Sequence, residues 1–330
     1  MTRTKTSEGT APVDRGVPLF GRKSIDVGAR GADALMRGVF FLGGVFVLFV
    51  AAAIVWVLLD NSVGFFSFVS PVEFFFHDVW HAVEGANAQY GIWPLVSGTL
   101  LVAAGAALIG LPLGLATAIY LAEYASPRIR GFLKPVIEVL AGIPSIVFGF
   151  FALAVISPLV QGATAPGTFL GGLFGNAGVF SAANAMIVVG IMVLPIVTSI
   201  SEDALRSVPQ HLREASLALG ATRWETVRNV VLPSAVSGVA ASFVLAVSRA
   251  IGETMAVTMA AGTQAKLTAN PVDAIQTMTA FIAQKTSGDT PHQGPGFLSL
   301  FAVGAALFAF TFIMNVLAQR FVRRYREVET

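Results

Sequence analysis

Long apolar runs separated by irregular polar intervals dominate the chain, and six of them reach the roughly 20 residues that a membrane-spanning helix requires. They lie at about 39–59, 96–120, 137–160, 179–200, 233–261 and 297–319. The first, VFFLGGVFVLFVAAAIVWVLL, carries no charge and starts too far along the chain for a secretory signal peptide, so it reads as a retained span. Pro112 in the second run, Pro144 and Pro158 in the third and Pro195 in the fourth predict kinks or short unwound turns inside the bundle. The pattern predicts an all-α, polytopic membrane protein with six transmembrane helices.

Composition strengthens that reading. Hydrophobic residues make up 55% of the chain and charged residues only 12%, against about 25% charged in an ordinary soluble domain. Glycine (33) and proline (16) are abundant, as tolerated inside a membrane where neighbouring helices satisfy freed backbone groups. With no cysteine, disulfide and thiolate chemistry is excluded.

The net charge of +2 matters less than its distribution. Arg15, Arg22, Lys23, Arg30 and Arg37 precede the first span, whereas the connection 60–94 holds Asp60, Glu73, Asp78 and Glu84 and no lysine or arginine. The next connection has Arg128, Arg130 and Lys134, the one after it is uncharged, and the long stretch 201–231 carries Arg206, Arg213, Arg223 and Arg228. Lys266 and Lys285 are the only basic residues of the fifth connection, and the chain closes with Arg320, Arg323, Arg324 and Arg326. Basic connections face the cytoplasm, so this alternation predicts a cell-membrane protein with both termini cytoplasmic.

Residues 201–231 read as more than a linker. Ser207 and Pro209 are helix-start residues, Leu212, Ala215 and Leu219 recur at helical spacing, and Gly220 supplies a stop. Thr222 and Glu225 then form a T-x-x-E capping box that starts a second helix running through Val227 and Val230 to Leu232-Pro233. Two readings follow: an interfacial helix pair that caps the bundle, or a docking element.

SRAIGETMAV, residues 248–257, places Arg249 and Glu253 inside the fifth apolar run, where each charge costs about 2.5–3.5 kcal/mol on insertion scales. On a continuous helix the two share a face, where they neutralise each other, face a polar cavity, or fix helix register as a buried pair. A guanidinium is permanently charged and presents a planar fork of donors suited to oxyanions. Elsewhere, Glu138 lies four residues from Lys134 and is expected to pair with it. In EFFFHDVWHAVE, His77 and His81 at i, i+4 suggest either a metal site or a surface amphipathic helix with Phe74, Phe75 and Trp80 towards the membrane. The sequence holds no G-x-x-x-x-G-K-[S/T] phosphate loop, no G-x-S-x-G and no H-E-x-x-H.

Glu214-Ala215-Ser216, three residues, Gly220, nine residues, Val230, one residue, Leu232-Pro233 resembles the EAA loop of binding-protein-dependent ABC importer permeases, with Ser216 and Val230 replacing an alanine and an isoleucine of the family pattern. SRAIGETMAV, together with GIWPLVSGTLLVAAGAALIGLPLGLATAIYLAEYAS and AGIPSIVFGFFAL, is similar to the PstC family of phosphate importer permeases; sulfate and molybdate permeases carry a related R-x-[IL]-G-E-F. The resemblance spans about residues 90–322. It implies a type I ABC importer permease fold: a cytoplasmic tail 1–38, a first helix and external connection 39–94, a five-helix permease core 95–322 containing the coupling loop 207–233, and a tail 323–330.

It further implies a non-enzymatic subunit that forms half of a phosphate pathway by alternating access. Its partners would be a homologous PstA-like permease, a PstB-like cytoplasmic ATPase dimer using ATP and Mg, an external PstS-like phosphate-binding protein, inorganic phosphate and membrane lipid, with no nucleic acid and no cofactor or metal of its own. The charges of SRAIGETMAV make Arg249 the first choice for contacting the anion, with Glu253 and Thr254 beside it in the pathway, and the resemblance assigns Glu214, Ala215, Ser216, Gly220, Leu232 and Pro233 to ATPase coupling. Glu253 would hold Arg249 in the empty path or accept a hydrogen bond from a protonated phosphate. A permease for sulfate or molybdate, an ATP-independent carrier and a membrane scaffold remain as alternatives.

Overall fold

The computed structural model describes residues 27–82, 87–288 and 294–326. Arg15, Arg22, Lys23 and Glu84 of the charge pattern lie outside them. The chain divides into two units, Met1–Val55 and Trp56–Thr330. In the first, the described residues belong to helix α1 (Val27–Phe66), whose Phe40, Phe41, Phe46, Leu48 and Phe49 side chains all point outward. A helix this apolar with no buried side belongs in lipid.

The second unit starts with the end of α1 and a short helix α2 (Pro71–Phe76), followed by an antiparallel pair of two-residue strands, β1 (Trp80–His81) and β2 (Gln89–Tyr90). Helix α3 (Trp93–Ile119) continues through a π-helical turn (Tyr120–Tyr124). Amphipathic α4 (Pro127–Ala141) is followed by α5 (Ser145–Phe151), a π-helical turn and α6 (Ser157–Ala163), then by α7 (Phe169–Phe174) and α8 (Ala182–Ser207). Next come α9 (Gln210–Ala218), α10 (Arg223–Thr226), α11 (Leu232–Ser234) and α12 (Val236–Gly252). Helices α13 (Met255–Ala261), α14 (Met278–Ser287) and α15 (Pro295–Arg326) complete the described fold.

Among the described residues, five helices are long and apolar enough to cross a membrane: Leu35–Phe66, Trp93–Tyr124, Ser145–Ala163, Ala182–Ser207 and Pro295–Arg320. Arg223–Ser234 and Val236–Gly252 form an apolar helix pair bent by 73°, which passes the same test together as one broken span or a re-entrant loop.

At the centre α3 packs on α8, joined by α5, α12 and α13 around Val102, Val188, Val189, Val193 and Ile251. The approach is close because small residues face each other: a Cβ on Gly110 would stand 2.5 Å from Val193 and 2.8 Å from the Gly190 carbonyl. A second, aromatic cluster closes one end of the bundle. Phe65, Phe74, Trp80, Tyr90 and Phe281 meet edge to face, with Trp80 and Phe281 centroids 4.9 Å apart. A third, around Leu205, Val208, Val231 and Val239, lies at the end of α8 that leads into α9.

Three expectations change. The third apolar run is not one helix: α4 stops at Ala141 because Ile143 precedes Pro144 and is steered out of helical geometry, so the span begins at Ser145. The fifth breaks twice, at Ala235 after a π-helical turn and Pro233, and again at Glu253 and Thr254. The EFFFHDVWHAVE stretch is not one amphipathic helix. The chain becomes extended at His77, so His77 and His81 share no helical face, and Phe74 and Trp80 are buried in the aromatic cluster rather than turned to lipid. Among the described residues no cluster of three metal-binding side chains forms.

Candidate functional site: the coupling loop and the broken helix

Helix α9 begins after Pro209 and ends at Leu219, and the chain reverses at Gly220, whose φ of +87° is a left-handed conformation that L side chains resist. The capping box then forms as the sequence predicts: Thr222 Oγ1 accepts from the Glu225 amide at 3.3 Å, and the Glu225 carboxylate accepts from the Thr222 amide at 2.7 Å. Ser216 reaches Thr226 at 2.9 Å, pinning α9 against α10. Glu214, Ala215 and Gly220 are exposed, Leu232 is half-buried and Pro233 is exposed. Leu217, Trp224 and above all Leu219, 90% exposed, point outward too. A pair of short helices whose apolar side chains face away from their own bundle suits contact with another molecule.

Sequence reasoning missed two polar anchors here, one tying this loop to the bundle and one tying α8 to α4. Arg213 is half-buried against the π-helical turn that ends α3, where Nη2 and Nε donate to Glu123 Oε1 at 2.9 and 3.2 Å. The same guanidinium donates to the Leu205 carbonyl at 2.7 Å and to that of Val208, tying the first turn of α9 to the end of α8. The second anchor is Glu202 on α8, a carboxylate with no solvent exposure. Lys134 donates to its Oε2 at 2.7 Å, and Arg130 stands 2.7 Å from Oε1 as a charge contact without aligned hydrogen-bond geometry. Arg206 adds a weaker pair at 3.9 Å.

The expected Lys134–Glu138 pair is therefore replaced: Lys134 bridges Glu202 and Asp203, both at 2.7 Å, and Glu138 is exposed. Burial alone would depress the Lys134 ammonium, but its hydrogen bonds to Asp203 and Glu202, and their charges, hold it above the ordinary lysine value. One signal was available in the sequence: Glu202 and Arg206 are spaced i, i+4, in a connection on the same side of the membrane as Arg130 and Lys134.

Arg249 and Glu253 are separated by a helix end. Helix α12 stops at Gly252 and Glu253 adopts extended backbone, so the two side chains do not share a helical face, and among the described residues no ion pair joins them. Arg249 lies on a stripe of α12 with Ala241, Leu245 and Gly252 that is exposed in this chain. Glu253 turns inward, 7% exposed, where Oε1 accepts from the Ala256 amide at 3.2 Å and so caps the first turn of α13. Its backbone carbonyl accepts from Thr279 Oγ1 at 2.7 Å. Thr254, half-buried, occupies the break itself. The break thus places a buried carboxylate and an outward guanidinium on opposite sides of one interrupted helix, among irregular segments that a membrane protein keeps only where protein or a cavity covers them.

Five helices long and apolar enough to cross a membrane, a bent apolar helix pair and an exposed two-helix loop are the features of an integral-membrane protein. The chain belongs to the family of binding-protein-dependent transport system inner membrane components, whose model matches residues 110–327. It is 35% identical over 89% of its length to a probable ABC transporter permease protein, YqgH, of Bacillus subtilis (strain 168), covering 92% of that protein. It is 34% identical to the phosphate transport system permease protein PstC of Mesorhizobium japonicum, over 76% of this chain and 78% of that one. With PstC 1 of Mycobacterium tuberculosis it shares 35% identity over 72% and 74% of the two chains. Among solved structures, the crystal structure of a bacterial alginate ABC transporter in complex with its periplasmic protein aligns with a TM-score of 0.61 over 91% of this chain and 98% of that one, at 15% identity, which shows the shared fold. The fold is that of type I ABC importer permeases, and the chain is a permease subunit of an importer of that kind.

Proposed function

We propose that the chain is the permease subunit of an ATP-driven phosphate importer and forms one half of its transmembrane pathway. The observation that carries the reading is the SRAIGETMAV segment in its structural setting. Arg249 sits on the exposed stripe of α12, otherwise formed by Ala241, Leu245 and Gly252, beside the break at Glu253. A permanent cation there, without an ion-pair partner among the described residues, is costly in lipid and is accommodated where a second, PstA-like permease closes a polar path around it. Its forked donors suit a tetrahedral oxyanion passing between the two halves. Glu253, buried opposite, accepts a hydrogen bond from a protonated phosphate, which sulfate cannot donate. Thr254 lines the break between them. The PstC relatives support phosphate as the ion carried.

In this reading the loop 207–233 faces the cytoplasm together with both termini. Its exposed Glu214, Ala215 and Gly220 and the surrounding apolar side chains dock on a PstB-like ATPase dimer that binds ATP and Mg, with Ser216, Leu232 and Pro233 shaping the turn and its return to the membrane. Closure of the dimer moves α9, and the anchors at Arg213 and Glu202 pass that movement to α3, α4 and α8. A PstS-like binding protein delivers phosphate to the opposite face.

The test is ATP-dependent uptake of labelled phosphate against labelled sulfate by vesicles containing the assembled complex, for the wild type and Arg249→Gln. Phosphate uptake that exceeds sulfate uptake and falls at least tenfold in the variant, with assembly intact, is expected. Unchanged phosphate uptake by Arg249→Gln removes Arg249 from the pathway, and preference for sulfate replaces the substrate.

A further inference from the structure

A cavity of about 530 Å³ lies at the end of the bundle that carries the coupling loop, between the π-helical turn after α3, helix α4 and the last turn of α8. Arg130, Lys134 and Arg206 line it together with one carboxylate, Glu138, and the apolar Leu121, Ala122 and Pro135. We propose that this cavity binds the phosphate group of an anionic lipid headgroup. The site shares no residue with the break at Glu253, and its occupancy does not depend on which ion the importer carries.

The three cations differ in how far they are engaged. Lys134 is committed, with bonds to Glu202 and Asp203 at 2.7 Å each. Arg130 is only partly so: its contact with Glu202 lacks hydrogen-bond geometry, and its Nε is buried with no hydrogen-bond partner, an orphaned donor in a side chain still 27% exposed. Arg206 is 46% exposed, and its ion pair with Glu202 is stretched to 3.9 Å. Glu202 has no solvent exposure and is not among the groups that line the cavity. Two guanidinium groups therefore offer forked donors to phosphate oxygens, and charge-assisted bonds of this kind are roughly twice as strong as neutral ones. Glu138 is exposed, where water screens its repulsion of an anion.

The position of the cavity favours a lipid over a free ion. Helix α4 has 15 residues, a rise of about 22 Å, which is short of the roughly 30 Å hydrocarbon core. Its Phe132, Val136 and Val139 are exposed on one face while Arg130, Lys134 and Glu138 line the cavity on another, the pattern of a helix lying in the membrane interface. Tyr120 and Tyr124, also exposed, mark the end of the preceding span as amphipathic rings do at headgroup level. Basic pockets at this depth suit phosphate-bearing headgroups. A bound phosphate joins α4 to the turn that holds Glu123 and to the end of α8, the elements on which the coupling loop is anchored.

Gly131 gives a test that leaves the ion pairs in place. It lines the cavity, and a Cβ added there meets no atom within 4 Å, so a longer side chain enters without a clash, on a helix that it suits better than glycine does. Gly131→Glu sets a carboxylate beside the arginines, Gly131→Gln adds the same bulk without charge, and Arg206→Gln removes one cation and adds nothing. Each is purified in its assembled complex, stripped of lipid in neutral detergent, and titrated with short-chain phosphatidylglycerol, short-chain phosphatidylcholine and inorganic phosphate, with bound ligand counted by native mass spectrometry.

Phosphatidylglycerol is expected to bind the wild type about tenfold more tightly than phosphatidylcholine, with its affinity falling about tenfold in Gly131→Glu, about fivefold in Arg206→Gln and hardly at all in Gly131→Gln. Should inorganic phosphate follow that order of variants while phosphatidylglycerol does not, the phosphate site stands and the lipid is replaced by the free ion. Phosphatidylglycerol and phosphate affinities that are the same in the wild type and all three variants overturn the site. Equal binding of the two lipids overturns it too, because an apolar contact then suffices. Failure of both Gly131 variants to assemble also overturns it, since a partner subunit then fills the cavity; if Gly131→Glu alone fails, Arg206→Gln decides.

Discussion

Replacing Arg213 by alanine is expected to loosen α9 from the rest of the bundle. The guanidinium makes two bonds to Glu123 Oε1 and two to the carbonyls of Leu205 and Val208, and the paired side chains are only 12% and 14% exposed. Breaking a buried pair by removing one partner costs about 3–5 kcal/mol, because the remaining charge stays uncompensated. Partial exposure of Glu123 places this case at the lower end, about 3 kcal/mol, which moves the docked-to-detached balance of α9 by roughly two orders of magnitude.

Hydrogen exchange of amides 205–219 in the assembled complex reads that shift directly, and uptake per ATP hydrolysed reads its consequence. Arg213→Ala is expected to expose those amides and lower the uptake-to-ATPase ratio. Arg213→Lys keeps a charge for Glu123 but loses the fork that also holds the two carbonyls, so it is expected to fall between. If Arg213→Ala leaves both exchange and coupling ratio unchanged, the anchor does not transmit the stroke.

Two further outcomes follow from the same face of the molecule. Glu202→Gln removes a fully buried charge shared by Arg130 and Lys134 and is expected to destabilise the subunit by roughly 2–4 kcal/mol; Asp203→Asn, at a side chain 65% exposed, is expected to cost under about 1 kcal/mol. Thermal unfolding in detergent ranks them, and equal effects would contradict the burial argument. Gly220→Ala meets no atom within 4 Å, so its effect is backbone strain alone: φ of +87° costs a side-chain-bearing residue about 1–2 kcal/mol. Recovery of the ATPase on pull-down should drop for Gly220→Ala and less for Gly220→Asn, and equal recovery by both would refute the strain account.

What the sequence determined by itself was whatever depends on neighbours within a few residues or on the membrane as solvent. Six apolar runs became five helices long and apolar enough to span and one bent helix pair, because lipid requires every backbone group to be satisfied within a helix. The glycine turn and capping box of the coupling loop formed where the spacing predicted, because their partners are three residues apart. Proline marked the break before the third span for the same local reason.

Only the tertiary structure decided the pairings of the charges. Glu202 and Lys134 are 68 residues apart, and Arg213 and Glu123 are 90, so no periodicity in the chain brings either pair together. The second break in the fifth span was equally hidden, since SRAIGETMAV has no proline or cap that forbids a continuous helix. There the bond from Thr279 to the Glu253 carbonyl, and the Glu253 carboxylate folding back on the Ala256 amide, hold the extended backbone open. What reads in sequence as two charges on one helical face is, once folded, a buried carboxylate and an outward cation divided by a helix end.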